Sequence, residues 1–120
     1  MPIRRLKSYT AQTGYVYQYY FVGKRPALND DPEAPATEYV FDVTADRKTT
    51  FAVSVFLGPQ ALTVWATKRG RDLSEPEQFA AAKLRLMQGF DEIVDMLHDG
   101  RRLRLDPESL ASLLESIGVD

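Results

Sequence analysis

The stretch that decides the fold is Tyr15-Val16-Tyr17-Gln18-Tyr19-Tyr20-Phe21-Val22, which lies between Gly14 and Gly23. Aromatic and β-branched residues favour strands, and successive side chains of a strand point to opposite faces. A strand with one face in water alternates apolar with polar residues, whereas this one is largely apolar on both sides. We therefore predict a strand with neighbours above and below it.

The two sides of this strand receive different assignments. We place the aromatic side in the main core, under the helices; it carries Tyr15, Tyr17, Tyr19 and Phe21. The other side holds Val16, Gln18, Tyr20 and Val22. On neighbouring strands the outward positions include Val40, Ala52 and Phe56, mixed with Asp42, Thr44, Thr50 and Ser54. A half-apolar second face is typical of a surface that something else covers. The sequence leaves open whether a second copy, another protein, a small ligand or the chain's own N-terminus covers it.

Composition sets the class of protein. The chain has 120 residues, of which 44% are hydrophobic and 27% charged, as expected of one globular domain spanning 1–120. The sequence has no cysteine, which excludes disulfides, a thiolate nucleophile and Cys-ligated metal. A net charge of -2 gives no general attraction to nucleic acid or to an anionic membrane. No apolar run approaches a membrane span, and no apolar segment follows the charged N-terminus, so we expect a cytoplasmic protein.

The first half of the chain reads as strands. A weak strand is predicted over 3–9, a turn over 11–14, and the aromatic strand is expected to stop at Gly23-Lys24-Arg25-Pro26. The segment 27–37 is acidic and proline-containing, and we expect a flexible surface loop there. A hairpin is predicted over 38–57.

The register of that hairpin follows from its apolar alternation. Residues directly opposite each other in an antiparallel pair share a face, so the connection must be odd in length or contain a bulge. A three-residue loop at Asp46-Arg47-Lys48 places Val43 opposite Phe51 and Phe41 opposite Val53. This is the register that we predict.

The second half reads as helices. Gly58-Pro59 and Gly70 bound the first, and Leu62, Trp65 and Ala66 form its predicted buried stripe. A capping box at Ser74 and Glu77 opens a second helix that runs to Gly100, with Gly89 as a place for a bend or a break. Its predicted stripe is Phe79, Leu86, Phe90, Ile93, Val94 and Leu97. Asp106-Pro107 opens a third helix that Gly118 ends.

These elements predict an α+β fold. We expect an antiparallel sheet of three to four strands from the N-terminal half, packed on one face by three helices from the C-terminal half. The segment 101–105 is either a short edge strand or an extended link. The strand order stays open, because the long acidic loop lets the hairpin pair on either side of the aromatic strand.

No group of residues carries a catalytic, metal or cofactor signature. His98 is the one histidine, and with Asp91 and Asp95 it lies on one helix flank, a pattern that a solvated helix edge explains better than a metal site. An enzyme built from carboxylates and hydroxyls, such as Asp42 facing Ser54, is a weak alternative. We therefore predict no catalytic residues, no metal and no cofactor.

The predicted function is a non-enzymatic interaction module. Its binding residues are Val16, Tyr20, Val22, Val40 and Phe56 on the second sheet face, and its partner is a second copy or another protein. The alternative is a small-ligand or nucleic-acid binder that uses the sheet tyrosines with Arg101, Arg102 and Arg104, joined by Arg4, Arg5 and Lys7. Nucleic acid is disfavoured, because Asp99, Asp106 and Glu108 flank the arginine cluster.

Overall fold

The computed structural model describes residues 5–120, and over that range the chain is an α+β fold of five strands and four helices. The strands are β1 Lys7–Thr10, β2 Val16–Pro26, β3 Thr37–Thr44, β4 Phe51–Leu57 and β5 Arg102–Leu105. The helices are α1 Pro59–Arg69, α2 Glu75–Glu92, α3 Met96–Asp99 and α4 Pro107–Ser116. The class is as predicted, but the expected three to four strands and three helices were too few.

The sheet is mixed, with the order β1-β2-β3-β4-β5. The first four strands are antiparallel neighbours, whereas β5 lies parallel to β4. A parallel neighbour needs a long crossover, and α1 to α3 supply it. The segment 101–105 is thus an edge strand and not a link. The weak N-terminal strand starts at Lys7 and runs to Thr10, while residue 3, where it was predicted to begin, lies outside the described residues.

The register of the β3–β4 hairpin is confirmed. Val43 lies opposite Phe51 and Phe41 opposite Val53. In the turn, one carboxylate oxygen of Asp46 accepts hydrogen bonds from the amides of Lys48 and Thr49, both at 2.8 Å. This local arrangement holds the odd-length connection that the apolar alternation requires.

Strand β2 is longer than predicted. It continues to Pro26, because Lys24, Arg25 and Pro26 pair with the start of β3. The register shifts between Phe21 and Gly23, so that Val22 is an extra residue on β2. Gly23 therefore marks a bulge, not the end of the strand.

The core lies between the helices and the inner face of the sheet. Its largest enclosed side chains include Tyr17, Tyr39, Phe41, Trp65, Leu86 and Phe90. The Tyr17 ring stacks on Phe90 with a centroid distance of 4.2 Å, which ties β2 to α2. The aromatic side of β2 is only partly in this core, since Tyr15 and Phe21 remain 48% and 38% exposed where the helical cover ends.

The long second helix is divided. Helix α2 begins at the predicted capping box but ends at Glu92, and α3 follows after Asp95, so the break comes after Gly89 and not at it. A Cβ on Gly89 would lie 2.9 Å from Leu103 Cδ1, so this glycine permits close packing on β5. Because the helix ends early, Val94 is exposed instead of buried, Leu97 is 37% exposed, and Met96 takes the inward position.

Candidate interaction site

The second face of the sheet, opposite the helices, is only partly covered. Val16 and Val22 are 51% and 41% exposed, and Tyr20 and Val40 are half-buried. The hydroxyl of Tyr20 donates to Asp42 on β3 at 2.6 Å, so this part of the face is a mixture of apolar and hydrogen-bonded polar groups. Four of the five predicted binding residues of the face are therefore accessible to some degree.

Phe56 is the exception, since it is only 1% exposed. The acidic loop 27–36 lies across the β4–β5 end of this face, where Glu33 and Ala36 share a small cavity with Phe56. The guanidinium of Arg102 lies 4.5 Å from the centre of the Phe56 ring. The prediction of Phe56 as a docking residue was wrong, because the chain's own loop and arginine cover it.

The arginine cluster has internal partners. Arg102 forms an ion pair with Asp31 at 2.6 Å, and Arg104 lies 3.9 Å from Glu33. The Nε of Arg101 donates to the carbonyl of Ala52 on β4. The pKa of Asp31 is lowered by the hydrogen bond from Arg102 and by the amide of Glu33. Arg102 and Arg104 thus attach the acidic loop to the sheet, whereas Arg101 contacts β4, and these uses compete with ligand binding.

A buried carboxylate that the sequence did not reveal lies beside this loop. Glu38, on β3, is 6% exposed and accepts hydrogen bonds from Arg25 Nε at 3.0 Å and Ser54 Oγ at 2.6 Å. Arg25 holds the pKa of Glu38 below its ordinary value, against the opposing effect of burial, and Ser54 adds to the lowering. Ser54 thus faces Glu38 and not Asp42, contrary to the pairing considered for an enzyme. The alternation of β3 places Glu38 on the outer face, but nothing local predicts its partners.

The acidic flank of α2 and α3 has structural partners as well. Asp91 accepts hydrogen bonds from the Tyr9 hydroxyl at 2.6 Å and from the Gln12 amide at 2.9 Å. Asp95 caps α3 and lies 2.9 Å from the His98 ring. Across residues 5–120, no three acidic or histidine side chains converge in a way that would hold a metal ion.

A groove of about 480 Å³ lies at the end of the sheet where β2 begins. Its apolar walls are Tyr15, Phe51, Val94 and Leu97. Its two carboxylates, Asp46 and Asp95, already accept hydrogen bonds in the β3–β4 turn and at the start of α3. The early end of α2 creates this groove, which the sequence therefore did not predict.

The far end of β2 has an edge that no other strand of residues 5–120 borders, and we call Phe21–Pro26 the open edge. Strand β1 pairs only with residues Val16 to Tyr19, so that within 5–120 no strand lies beside Phe21–Pro26 on the side away from β3. Phe21 and Val22 are partly exposed there. Leu6, which directly precedes β1, is 54% exposed. Unpaired backbone groups next to exposed apolar side chains form a template for an additional strand.

Comparison with known proteins gives no relative for this chain: no family model, no curated protein and no solved structure matches it. None of the helices described over 5–120 has the length and apolar character to cross a membrane.

Proposed function

We propose that this chain is a non-enzymatic interaction module that docks an extended segment of a partner protein on the edge and outer face of β2. The observation that carries the proposal is that no strand of residues 5–120 borders the open edge Phe21–Pro26, together with the exposure of Phe21 and Val22. The absence of cysteine supports a cytoplasmic setting for this docking.

An added strand satisfies two requirements of this surface. The backbone groups of the open edge gain hydrogen-bond partners, and side chains of the added strand cover apolar groups on both faces. On the outer face, Val22 and Val40 line a depression of about 200 Å³ that would accept one apolar side chain of the partner. Because Pro26 lacks an amide hydrogen, the docked segment should run beside Phe21 to Arg25.

The charges near this edge favour a partner that differs from the chain itself. Lys24 and Arg25 form ion pairs with Glu75 and Glu38, at 3.3 and 3.0 Å. Arg5 and Lys7, next to the edge, form no ion pair with any residue of the described range. Two copies joined edge to edge would bring these cations together, whereas an acidic segment would neutralise them. We therefore propose an acidic, strand-forming partner segment.

Selection from a library of short random peptides displayed on phage tests the proposal on the full chain. We expect enrichment of peptides that alternate apolar residues with Asp or Glu. Val22→Glu should weaken the selected peptides by about tenfold or more, because it adds a buried, repelling carboxylate at the edge. Leu28→Glu, at an apolar residue that is 64% exposed in the acidic loop, should leave binding unchanged.

Three outcomes would overturn the proposal. One is that no peptide is enriched over the phage background. Another is that Val22→Glu and Leu28→Glu have equal effects on the selected peptides. The third is a dimer in sedimentation velocity that Val22→Glu dissociates, since it would assign the edge to a second copy; we expect a monomer.

A further inference from the structure

A cleft with aromatic walls and a cationic rim opens at the sheet edge, on the side that faces α2. It has a volume of about 170 Å³ and is here named the cationic cleft; its lining is Arg5, Lys7, Tyr19, Tyr20, Phe21, Phe41, Phe79 and Lys83. The cleft brings together residues from the start of the chain, from three strands and from α2, so that no single sequence motif marks it.

The interior of the cationic cleft is a cluster of rings. Phe21 lies 4.8 Å from Phe79 in an edge-to-face arrangement and 5.4 Å from Phe41, measured between ring centroids. Phe41 is fully buried, while Phe21 is 38% exposed and Phe79 is half-buried. The cleft therefore presents aromatic surface that a flat apolar group can contact at ring-packing distances.

The rim of the cationic cleft is positively charged without compensation. Its lining contains two lysines and one arginine but no acidic residue. Within the described range, none of Arg5, Lys7 and Lys83 forms an ion pair, in contrast to Lys24 and Arg25 near the end of β2. The pKa of Lys83 is lowered by burial and by the charge of Lys7, as expected of cations held together without an anion.

We propose that the cationic cleft is a binding site for a small oxyanion carried on an aromatic ring. The ring would pack against Phe21 and Phe79, while the carboxylate or phosphate would be bound by Arg5, Lys7 and Lys83. Both anions share the recognition chemistry, and the cleft has room for one ring-sized group. The cleft shares Phe21, Arg5 and Lys7 with the proposed docking edge. Phe79 and Lys83 belong to the cleft alone, because they lie on α2, on the inner side of the sheet.

Nuclear magnetic resonance titration of the isotope-labelled full chain tests the site with benzoate, phenyl phosphate and neutral benzamide. We expect saturable shifts at Tyr19–Phe21 and Phe79–Lys83. Benzoate and phenyl phosphate should bind about tenfold or more tightly than benzamide, because only they neutralise the rim. The anion that binds more tightly, benzoate or phenyl phosphate, shows whether the site prefers a carboxylate or a phosphate.

Substitutions at one cation make the test specific. Lys83→Met keeps the apolar stem but removes the charge, and we expect about a tenfold loss of benzoate affinity. Lys83→Arg should retain binding, and Lys68→Met on α1 should have no effect. Val22→Glu should also leave benzoate binding intact, so that failure of this site and failure of peptide docking are distinguishable.

Clear outcomes would overturn the inference. Equal affinity for benzoate and benzamide, or the absence of saturable shifts with both anions, would exclude an oxyanion site. Unchanged benzoate affinity in a Lys83→Met variant with a wild-type melting temperature would exclude the assigned cation. If that variant does not fold, loss of binding by Lys83→Gln and retention by Lys83→Arg would support the site, and equal binding by the two would exclude it.

Discussion

Glu38 shows how a single charged residue is accommodated inside this sheet. Its carboxylate is almost fully buried, yet it accepts hydrogen bonds from the guanidinium of Arg25 on β2 and from the hydroxyl of Ser54 on β4. A buried charge without such partners is strongly destabilising. Glu38 therefore links β2, β3 and β4 on the outer face, directly beside the loop that covers Phe56.

The free energy of unfolding should depend on pH through the ionisation of Glu38. The pKa of Glu38 in the folded chain is below its ordinary value of 4.5, so its stabilisation is complete above that value and is lost as the pH falls through the folded pKa. Glu38→Gln should lower the free energy of unfolding at pH 7 by about 1–3 kcal/mol. Urea unfolding of both proteins between pH 7 and pH 3 measures the difference, which should shrink on acidification.

Glu33→Gln is the matched control for this measurement. Glu33 lies 3.9 Å from an exposed Arg104 side chain, and such pairs contribute about 0.2–1 kcal/mol. Equal effects of the two substitutions at pH 7, or a Glu38→Gln difference that does not change with pH, would contradict the role given to Glu38.

At the scale of elements, the acidic loop 27–36 is a cover for the sheet. Its two ends are joined by a hydrogen bond from the Ala27 amide to the Ala36 carbonyl at 2.8 Å. Arg102 on β5 then attaches its centre through Asp31. The loop has a defined path across the outer face, and its flexibility stays a prediction.

Asp31→Asn should release this cover. The substitution removes the charge that pairs with Arg102, and we expect faster amide hydrogen exchange over 28–36. Mass spectrometry of exchanged peptides measures the change. Because Arg102 lowers the pKa of Asp31, wild-type protection should be retained at neutral pH and lost as the pH falls below 3.8.

Asp30→Asn provides the control, since Asp30 is the exposed neighbour of Asp31 and takes part in none of the ion pairs described for residues 5–120. Its exchange rates should match those of the wild type. An equal increase in both variants would mean that the net charge of the loop matters and the Asp31–Arg102 contact does not.

The elements that sequence predicted well are those with local signals. Helix starts at Pro59, Glu75 and Pro107 follow from caps and prolines within a few residues, and the hairpin register follows from alternation across one turn. Phe56 was wrongly predicted to be an exposed docking residue. The alternation of β4 shows which face of the sheet Phe56 lies on, but not what covers that face. The cover depends on the Asp31–Arg102 pair, whose members are far apart in the chain.

The candidate sites were predicted less completely than the fold, for the same reason. Exposed Val16 and Val22 follow from the alternation of one strand. The cationic cleft, however, forms because Lys83 on α2 lies beside Lys7 and Phe21. No local sequence pattern predicts that these residues are close together. The end of β2 was also misplaced, because pairing with β3 outweighs the local turn signal of Gly23 and Pro26.

At the scale of the whole molecule, β1 and the turn after it are attached to the helical layer through Asp91 on α2. The Tyr9 hydroxyl donates to Asp91 at 2.6 Å, and the Gln12 amide, just after β1, donates to the same carboxylate. The Tyr9 ring also lies 5.9 Å from that of Phe90. This contact joins one edge of the sheet to α2.

The free energy of unfolding at alkaline pH should depend on the hydrogen bond between Tyr9 and Asp91. The hydrogen bond to Asp91, with a smaller effect of burial, raises the pKa of Tyr9 from 10.0 to about 12. Its stabilisation is therefore present below pH 10 and is lost as the pH rises toward 12. Tyr9→Phe should lower the free energy of unfolding at pH 7 by about 1–2 kcal/mol, measured by urea denaturation.

The Tyr15→Phe variant is the control, because it also removes a tyrosine hydroxyl but not the contact with Asp91. Tyr15 is 48% exposed and its hydroxyl has no hydrogen bond within the described part of the chain, so its substitution should change stability by less than about 0.5 kcal/mol. A Tyr9→Phe variant as stable as wild type at pH 7 would contradict the contribution of the Tyr9–Asp91 contact to stability.

The parallel pairing of β5 with β4 has a consequence for synthesis on the ribosome. The first four strands leave the exit tunnel before α1, α2 and α3, and only then does β5 emerge to occupy the β4 border. Until that moment the border of the nascent sheet along β4 lacks the strand that completes it. A stalled chain truncated before Arg102 should therefore be the form that most requires chaperone protection.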